Sequence, residues 1–122
     1  MQKAINLLQK FGLFQEEWTP KIIAETNGQL VKLAKLNGEF VWHNHADEDE
    51  LFLVVKGILE LRFKDHSVTL KEGELYVVPK GVDHLPVAHE ECWVVLIEPS
   101  GTKHTGDTIS KQTVSEDLQQ WI

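Results

Sequence analysis

From Trp18 to Ile97 the chain repeats one device, a short run rich in Val, Ile, Leu and aromatics followed by a break of turn-forming residues. The runs are 21–26, 29–36, 39–43, 50–56, 58–63, 67–70, 74–78, 84–88 and 92–97. Between them lie Asn27-Gly28, Asn37-Gly38, Gly57, Lys64-Asp65-His66, Glu72-Gly73 and Pro79-Lys80-Gly81, residues that supply positive φ or a preset turn. Nine short strands with a turn about every eight to twelve residues predict an all-β sandwich or barrel. No break is long enough for a helical crossover, so the pairing should be antiparallel.

The two ends depart from this pattern. Ala4, Leu7, Leu8 and Phe11 stand at helical spacing before Gly12, which predicts an N-terminal helix over 2–11 that braces or covers the domain. Thr113 and Glu116 make a capping box ahead of Val114, Leu118, Trp121 and Ile122, which predicts a C-terminal helix. At 122 residues the chain has the length of one domain, 1–122, with a barrel core over about 18–98 and a C-terminal tail and helix over 99–122. The polar stretch 98–111 exceeds the usual length of a connection, a trait that goes with function or mobility.

Charge and cysteine usage narrow the partners. The net charge is -7 and no Lys/Arg run interrupts the mixed surface, so neither nucleic acid nor anionic membrane is an expected partner. Cys92 is the lone cysteine and cannot form an intrachain disulfide. The N-terminus is too amphipathic for a signal peptide, and no apolar run approaches the roughly 20 residues of a membrane span. The expected compartment is therefore the cytoplasm.

Chemistry concentrates in His43-Asn44-His45-Ala46-Asp47-Glu48-Asp49-Glu50. On a strand, alternate residues leave one face, so His43 and His45 converge. If 46–49 form the turn, Glu50 opens the next strand level with the histidines and Asp49 points away. His84 follows the turn set by Pro79 and Gly81 and offers a fourth donor. Three imidazoles and a carboxylate suit Mn, Fe, Ni, Cu or Zn, and suit Ca or Mg poorly because those ions prefer oxygen shells.

These residues resemble the two motifs of the cupin superfamily. The first appears as Gly38, His43, His45, Glu50 and Gly57, and the second as Gly73, Pro79, Gly81 and His84. Gly38 stands one residue closer to His43 than the family pattern has it, and Ala88 replaces the asparagine that usually ends the second motif. The resemblance, to small single-domain (type-2) cupins, implies a jelly-roll β-barrel and makes His43, His45, Glu50 and His84 the metal ligands. The six residues between Glu50 and Gly57 select Glu50 over Asp49. The expected cofactor is one divalent transition-metal ion: Mn, Fe, Ni or Zn.

The other candidates have plainer readings. His66 and His89 read as solvated turn residues, while His104, beyond the last strand, is a further candidate to line the site. Cys92 has no cationic neighbour in sequence and reads as a buried structural thiol. Trp42 must face away from the ion, and a Trp on an outer face suggests a homodimer. Arg62 alternates with Ile58 and Glu60 and should point outward, leaving no evident clamp for an anionic substrate. Phe52, Val54, Leu75, Val77, Val95 and Ile97 are expected to wall a small, mostly apolar cavity.

The functional expectation is a metal-binding cupin that acts on a small organic molecule. Oxygenase, isomerase and decarboxylase types stay open, with metal-dependent dioxygenase and sugar isomerase-like enzymes among them, and no catalytic residue apart from the ligands is identified. The alternative is a non-catalytic, metal-dependent module that binds a small molecule or sugar. Imidazoles must be neutral to ligate, so metal affinity should fall below about pH 6.5.

Overall fold

The strand pattern becomes seven strands among residues 3–102 and 119–122, which are the residues that the computed structural model describes. They are β1 (Lys21–Thr26), β2 (Gln29–Glu39), β3 (Glu50–Lys56), β4 (Leu59–Arg62), β5 (Ser67–Leu70), β6 (Leu75–Val78) and β7 (Leu85–Pro99). One sheet runs β1-β2-β7-β3-β6, with β4 pairing both β5 and β7, and every strand pair is antiparallel. Asn27 and Gly28 take φ of 51° and 75° and join β1 to β2 in a two-residue hairpin with Thr26 opposite Gln29. Two successive positive φ values give the turn whose twist matches paired strands, which is why Asn-Gly serves there.

The second Asn-Gly does something else. Residues 37 and 38 are not a turn: β2 runs through them, and its register with β7 shifts between Leu36↔Cys92 and Gly38↔Ala88. Gly38 at φ 83° sits in that bulge. The expected strands 84–88 and 92–97 are one strand, β7, bent at the exposed residues His89, Glu90 and Glu91. Gly57 (φ 87°) carries β3 into β4 past the same bend, where an added Cβ would lie 2.9 Å from the Glu91 carbonyl oxygen and 3.2 Å from Cys92 Cα. Three neighbouring strand paths therefore bend together and curl the sheet, as a jelly-roll barrel requires. Of the expected strand 39–43, only Glu39 is in β2; beyond it Phe40 donates to Pro86 O (3.0 Å) and His43 bridges His84.

Alternation on each strand divides two cores. Ala34, Leu36, Phe52, Val54, Leu59, Leu61, Val94 and Leu96 fill the interior. On the outer face Phe11, Phe14, Ile23, Leu33 and Val95 pack together. Phe52 and Val54 are interior as expected, but Val95 and Ile97 belong to the outer face, and Leu75 and Val77 are 55% and 43% exposed. Phe52 pairs with Tyr76 and Glu50 with Val78, so it is Tyr76 and Val78 that share the inward phase; a slip of one residue reverses every side chain.

The N-terminal helix is shorter than expected. It spans Leu7–Phe11, with Asn6 Oδ1 accepting from Gln9 N at 3.0 Å as its cap. Phe11 is fully buried and stacks on Trp93 at 4.9 Å, so the helix braces the outer face. Leu8, expected on that face, is 65% exposed. Residues 113–118 of the expected C-terminal helix lie outside the described residues. The final four are not helical: Trp121 bridges Ile22 in parallel, and Lys10 Nζ donates to Ile122 O at 2.7 Å.

Candidate metal centre

Backbone pairing brings the two motifs together. His43 N donates to His84 O at 3.1 Å and His84 N to His43 O at 2.9 Å, so residues 41 apart in sequence are locked opposite each other. Gly81 N donates to His45 O (2.8 Å), Lys80 N to Asp49 Oδ1 (2.8 Å) and Asn44 Nδ2 to Asp83 Oδ1 (2.8 Å). Asp49 therefore ties the loops from outside while Glu50, the first residue of β3, turns inward with Phe52 and Val54.

Ring orientation is set by neighbouring carbonyls. The Nδ1 of His43 lies 2.9 Å from Val41 O, and that of His84 lies 2.9 Å from Val82 O. A carbonyl accepts only, so each Nδ1 carries the proton and each Nε2 is left with a lone pair facing the interior. The ring centroids are 5.1 Å apart for His43–His45, 4.3 Å for His43–His84 and 5.9 Å for His45–His84. One ligand atom from each of His43, His45, Glu50 and His84 lies within 4.8 Å of the others, and all four residues are buried.

Glu50 Oε1 stands 3.4 Å from His45 Nε2 and 3.6 Å from His84 Nε2. These gaps are too long for good hydrogen bonds, and all three atoms are buried with no hydrogen-bond partner. Each such orphan costs roughly 1–3 kcal/mol, whereas donors about 2.1 Å from a shared ion sit roughly 3.0–3.5 Å apart. The residues present thus fit a divalent transition metal.

The charge state agrees. Burial, then the nearby His84, lowers the His43 pKa to about 4 against the pull of the Val41 carbonyl and Glu50. His43 is neutral well below the pH 6.5 of an ordinary imidazole, which moves its part of the expected acid loss of metal downward. Burial works to raise Glu50, but the facing His45 and His84, and then Glu98, hold its carboxyl well below the usual range. Burial first, then the charge of Glu50, pushes Glu98 well above it despite Lys32.

Two interior residues escaped sequence reading. Lys32 Nζ and Glu98 Oε1 are 2.8 Å apart with both side chains buried, one on β2 and one on β7. Val31, Leu33 and Lys35 alternate with Leu30, Lys32 and Ala34, so each face of β2 has one lysine among apolar residues and periodicity could not select one. Glu98 opens the polar stretch 98–111 in sequence, although it keeps phase with Val94 and Leu96.

A small, partly open cavity of about 30 Å³, more than the roughly 10–15 Å³ that one water needs, reaches His43 and Glu50 between Ala34, Leu36, Phe52 and Leu96. Trp18 and Phe40, stacked at 4.4 Å, form part of its lining. Trp18 holds φ 56°, an unusual value for a bulky residue, with its indole Nε1 donating to Asn37 O at 2.9 Å.

His66, His89 and Arg62 lie at the surface as expected, although His89 is on β7 rather than in a turn. His66 is exposed against Asp65, His89 is 74% exposed near Glu60, and Arg62 pairs with Glu60 at the surface. Burial pushes the Cys92 thiol up to about 12, which suits a structural role. Trp42 is 38% exposed beneath Lys64, whose Nζ lies 4.0 Å from the ring centre. His104 lies outside the described residues. No helix among those described is long and apolar enough to cross a membrane.

A family model described as Cupin domain matches residues 29–98. The solved structure of a cupin-2 domain containing protein from Shewanella frigidimarina is 53% identical, with a TM-score of 0.78 over 79% of this chain and 94% of that one. Protein NMB1881 from Neisseria meningitidis is 40% identical, with a TM-score of 0.74 over 80% of this chain and 100% of that one. The uncharacterized protein YdbB of Bacillus subtilis is 37% identical over 109 residues, 80% of this chain and 96% of its own.

Proposed function

The chain belongs to the cupin domain family, and from that premise we propose that it holds one divalent transition-metal ion through His43, His45, Glu50 and His84 and acts on a small, uncharged organic molecule. The observation that carries this reading is the convergence of buried, unpartnered His45 Nε2, His84 Nε2 and Glu50 Oε1 on one point. A bound Mn, Fe, Ni or Zn ion would supply Lewis-acid or redox chemistry there.

The chain's own residues shape what reaches that point. The Val41 and Val82 carbonyls orient two imidazoles, and mostly apolar side chains line the approach to the donors. The cavity is small and its lining, the Trp18–Phe40 stack included, is mostly apolar, which favours a flat or apolar ligand over a charged one. The ionisable groups lining the cavity are His43 and Glu50, both ligands. That absence of a separate acid or base among the described lining residues favours, as a second reading, a non-catalytic module that binds a small molecule or sugar.

Metal analysis after purification without chelator should find close to one equivalent per chain, and less than about a tenth of an equivalent, with no thermal stabilisation by added Mn, Fe, Ni or Zn, would overturn the assignment. Oxygen uptake or product formation on a substrate panel separates enzyme from binding module. The half-exposed Trp42 supports a homodimer, which a monomer by light scattering would refute. The reduced, buried Cys92 is compatible with a cytoplasmic location.

A further inference from the structure

The Lys32–Glu98 pair is buried beside the ligand set and is not part of it. Removing two charges from water costs more than filling the same space with apolar side chains, so stability alone gives no reason for an ion pair in this interior. The registers show where it points. Leu30 pairs with Glu98 across β2 and β7, and Leu51 pairs with Ile97 across β3 and β7, so the next step of that ladder sets Glu50 beside Glu98. Glu50 and Glu98 are thus neighbours, and Lys32, two residues beyond Leu30 and diagonal to Glu98, completes a cluster over three adjacent strands. Lys32 Nζ lies 2.8 Å from Glu98 Oε1, the buried Glu98 carboxyl is the strand neighbour of Glu50, and Glu50 Oε1 faces His45 and His84 with no hydrogen-bond partner of its own.

We propose that Lys32 and Glu98 are positioning residues for the metal centre. Lys32 anchors the Glu98 carboxyl, Glu98 restrains that of Glu50, and Oε1 of Glu50 is left as the single oxygen presented to the ion. Removing a partner that orients a metal ligand from behind typically costs about 10–100-fold in metal affinity. The inference rests on the metal reading above, and its test separates the two.

Zn²⁺ and Ni²⁺ affinities of the metal-free protein, measured against a chromophoric chelator, should fall roughly 10–100-fold in Glu98→Leu and in Lys32→Met. Glu98→Gln, whose amide donates toward Glu50 and accepts from Lys32, should stay within about threefold of wild type. The double variant Lys32→Met/Glu98→Leu removes the buried charges together, so its metal-free melting temperature should hold or rise while its metal affinity stays low. Wild-type affinity in that folded double variant would overturn the proposal, and so would a loss in Glu98→Gln as large as in Glu98→Leu. A wild-type protein that takes up no metal overturns the metal reading itself, and this inference with it.

Discussion

The outer face beneath the brace and the interior around His84 both bury polar side chains, and they treat them in opposite ways. On the outer face Lys35 donates to Phe14 O at 2.7 Å and lies over the rings of Phe14 and Trp93, at 5.1 and 4.6 Å. Lys21 nearby meets Glu16 at 2.6 Å and Gln120 Oε1 at 3.0 Å. Both amines are satisfied, and what they hold are the chain's ends, so the groups are structural. In the interior, three atoms from three residues are buried without partners and point at one another. Such a cluster raises the energy of the metal-free fold and is worth keeping where a cation completes it. Satisfaction of the buried polar groups, more than their burial, separates brace from site.

The sharpest way to break this contrast is His84→Ala. It removes one of the four proposed ligands from a fully buried position, and metal binding, with the stabilisation it confers, should be lost. At a free metal concentration 100 times the dissociation constant, wild type should gain about 2.7 kcal/mol, roughly 10 °C in melting temperature for a chain of this size, and the variant should gain nothing in the same scan. Phe11→Ala addresses the other region. It should cost about 3–5 kcal/mol in urea unfolding with metal stoichiometry unchanged, and a drop in metal content would show the two regions to be coupled.

Acid should distinguish the regions next. His43 has a folded pKa of about 4 against 6.5 when unfolded, so between those values the unfolded chain binds a proton that the folded chain refuses. Stability from this residue is complete above about pH 6.5 and falls as pH drops toward 4, by on the order of 3 kcal/mol. Urea unfolding of metal-free protein across that window should show the slope, and His43→Asn should flatten it. The smallest effect is expected from Lys35→Met, about 1–2 kcal/mol from the lost hydrogen bond and ring contacts, with metal affinity untouched.

How far the site could be read ahead of the fold depended on range. His43, His45, Glu50 and His84 were legible because each sits at fixed spacing from a turn or a neighbour, and short-range strand geometry carries them inward. Glu50 and Asp49 were separable by alternation, and Asp49 does lie outside, accepting from Lys80 N. Leu75 and Val77 were placed wrongly because β6 is four apolar or aromatic residues long, and no polar residue within it marks its phase. Asn37-Gly38 carried a turn signal that a bulge satisfies equally well, and only the partner strand β7 decides between them.

By itself the sequence determined the strand count to within two, the antiparallel pairing and the four converging donors, because turn chemistry and period-two alternation act over a few residues. Tertiary structure alone decided that β2, β7 and the β3–β4 path bend at one level. It also set Glu98 between Lys32 and Glu50 and laid Trp18 on Phe40 at the cavity. Those facts depend on which strands become neighbours, and strand neighbours are chosen by burial of the whole sheet rather than by any local pattern.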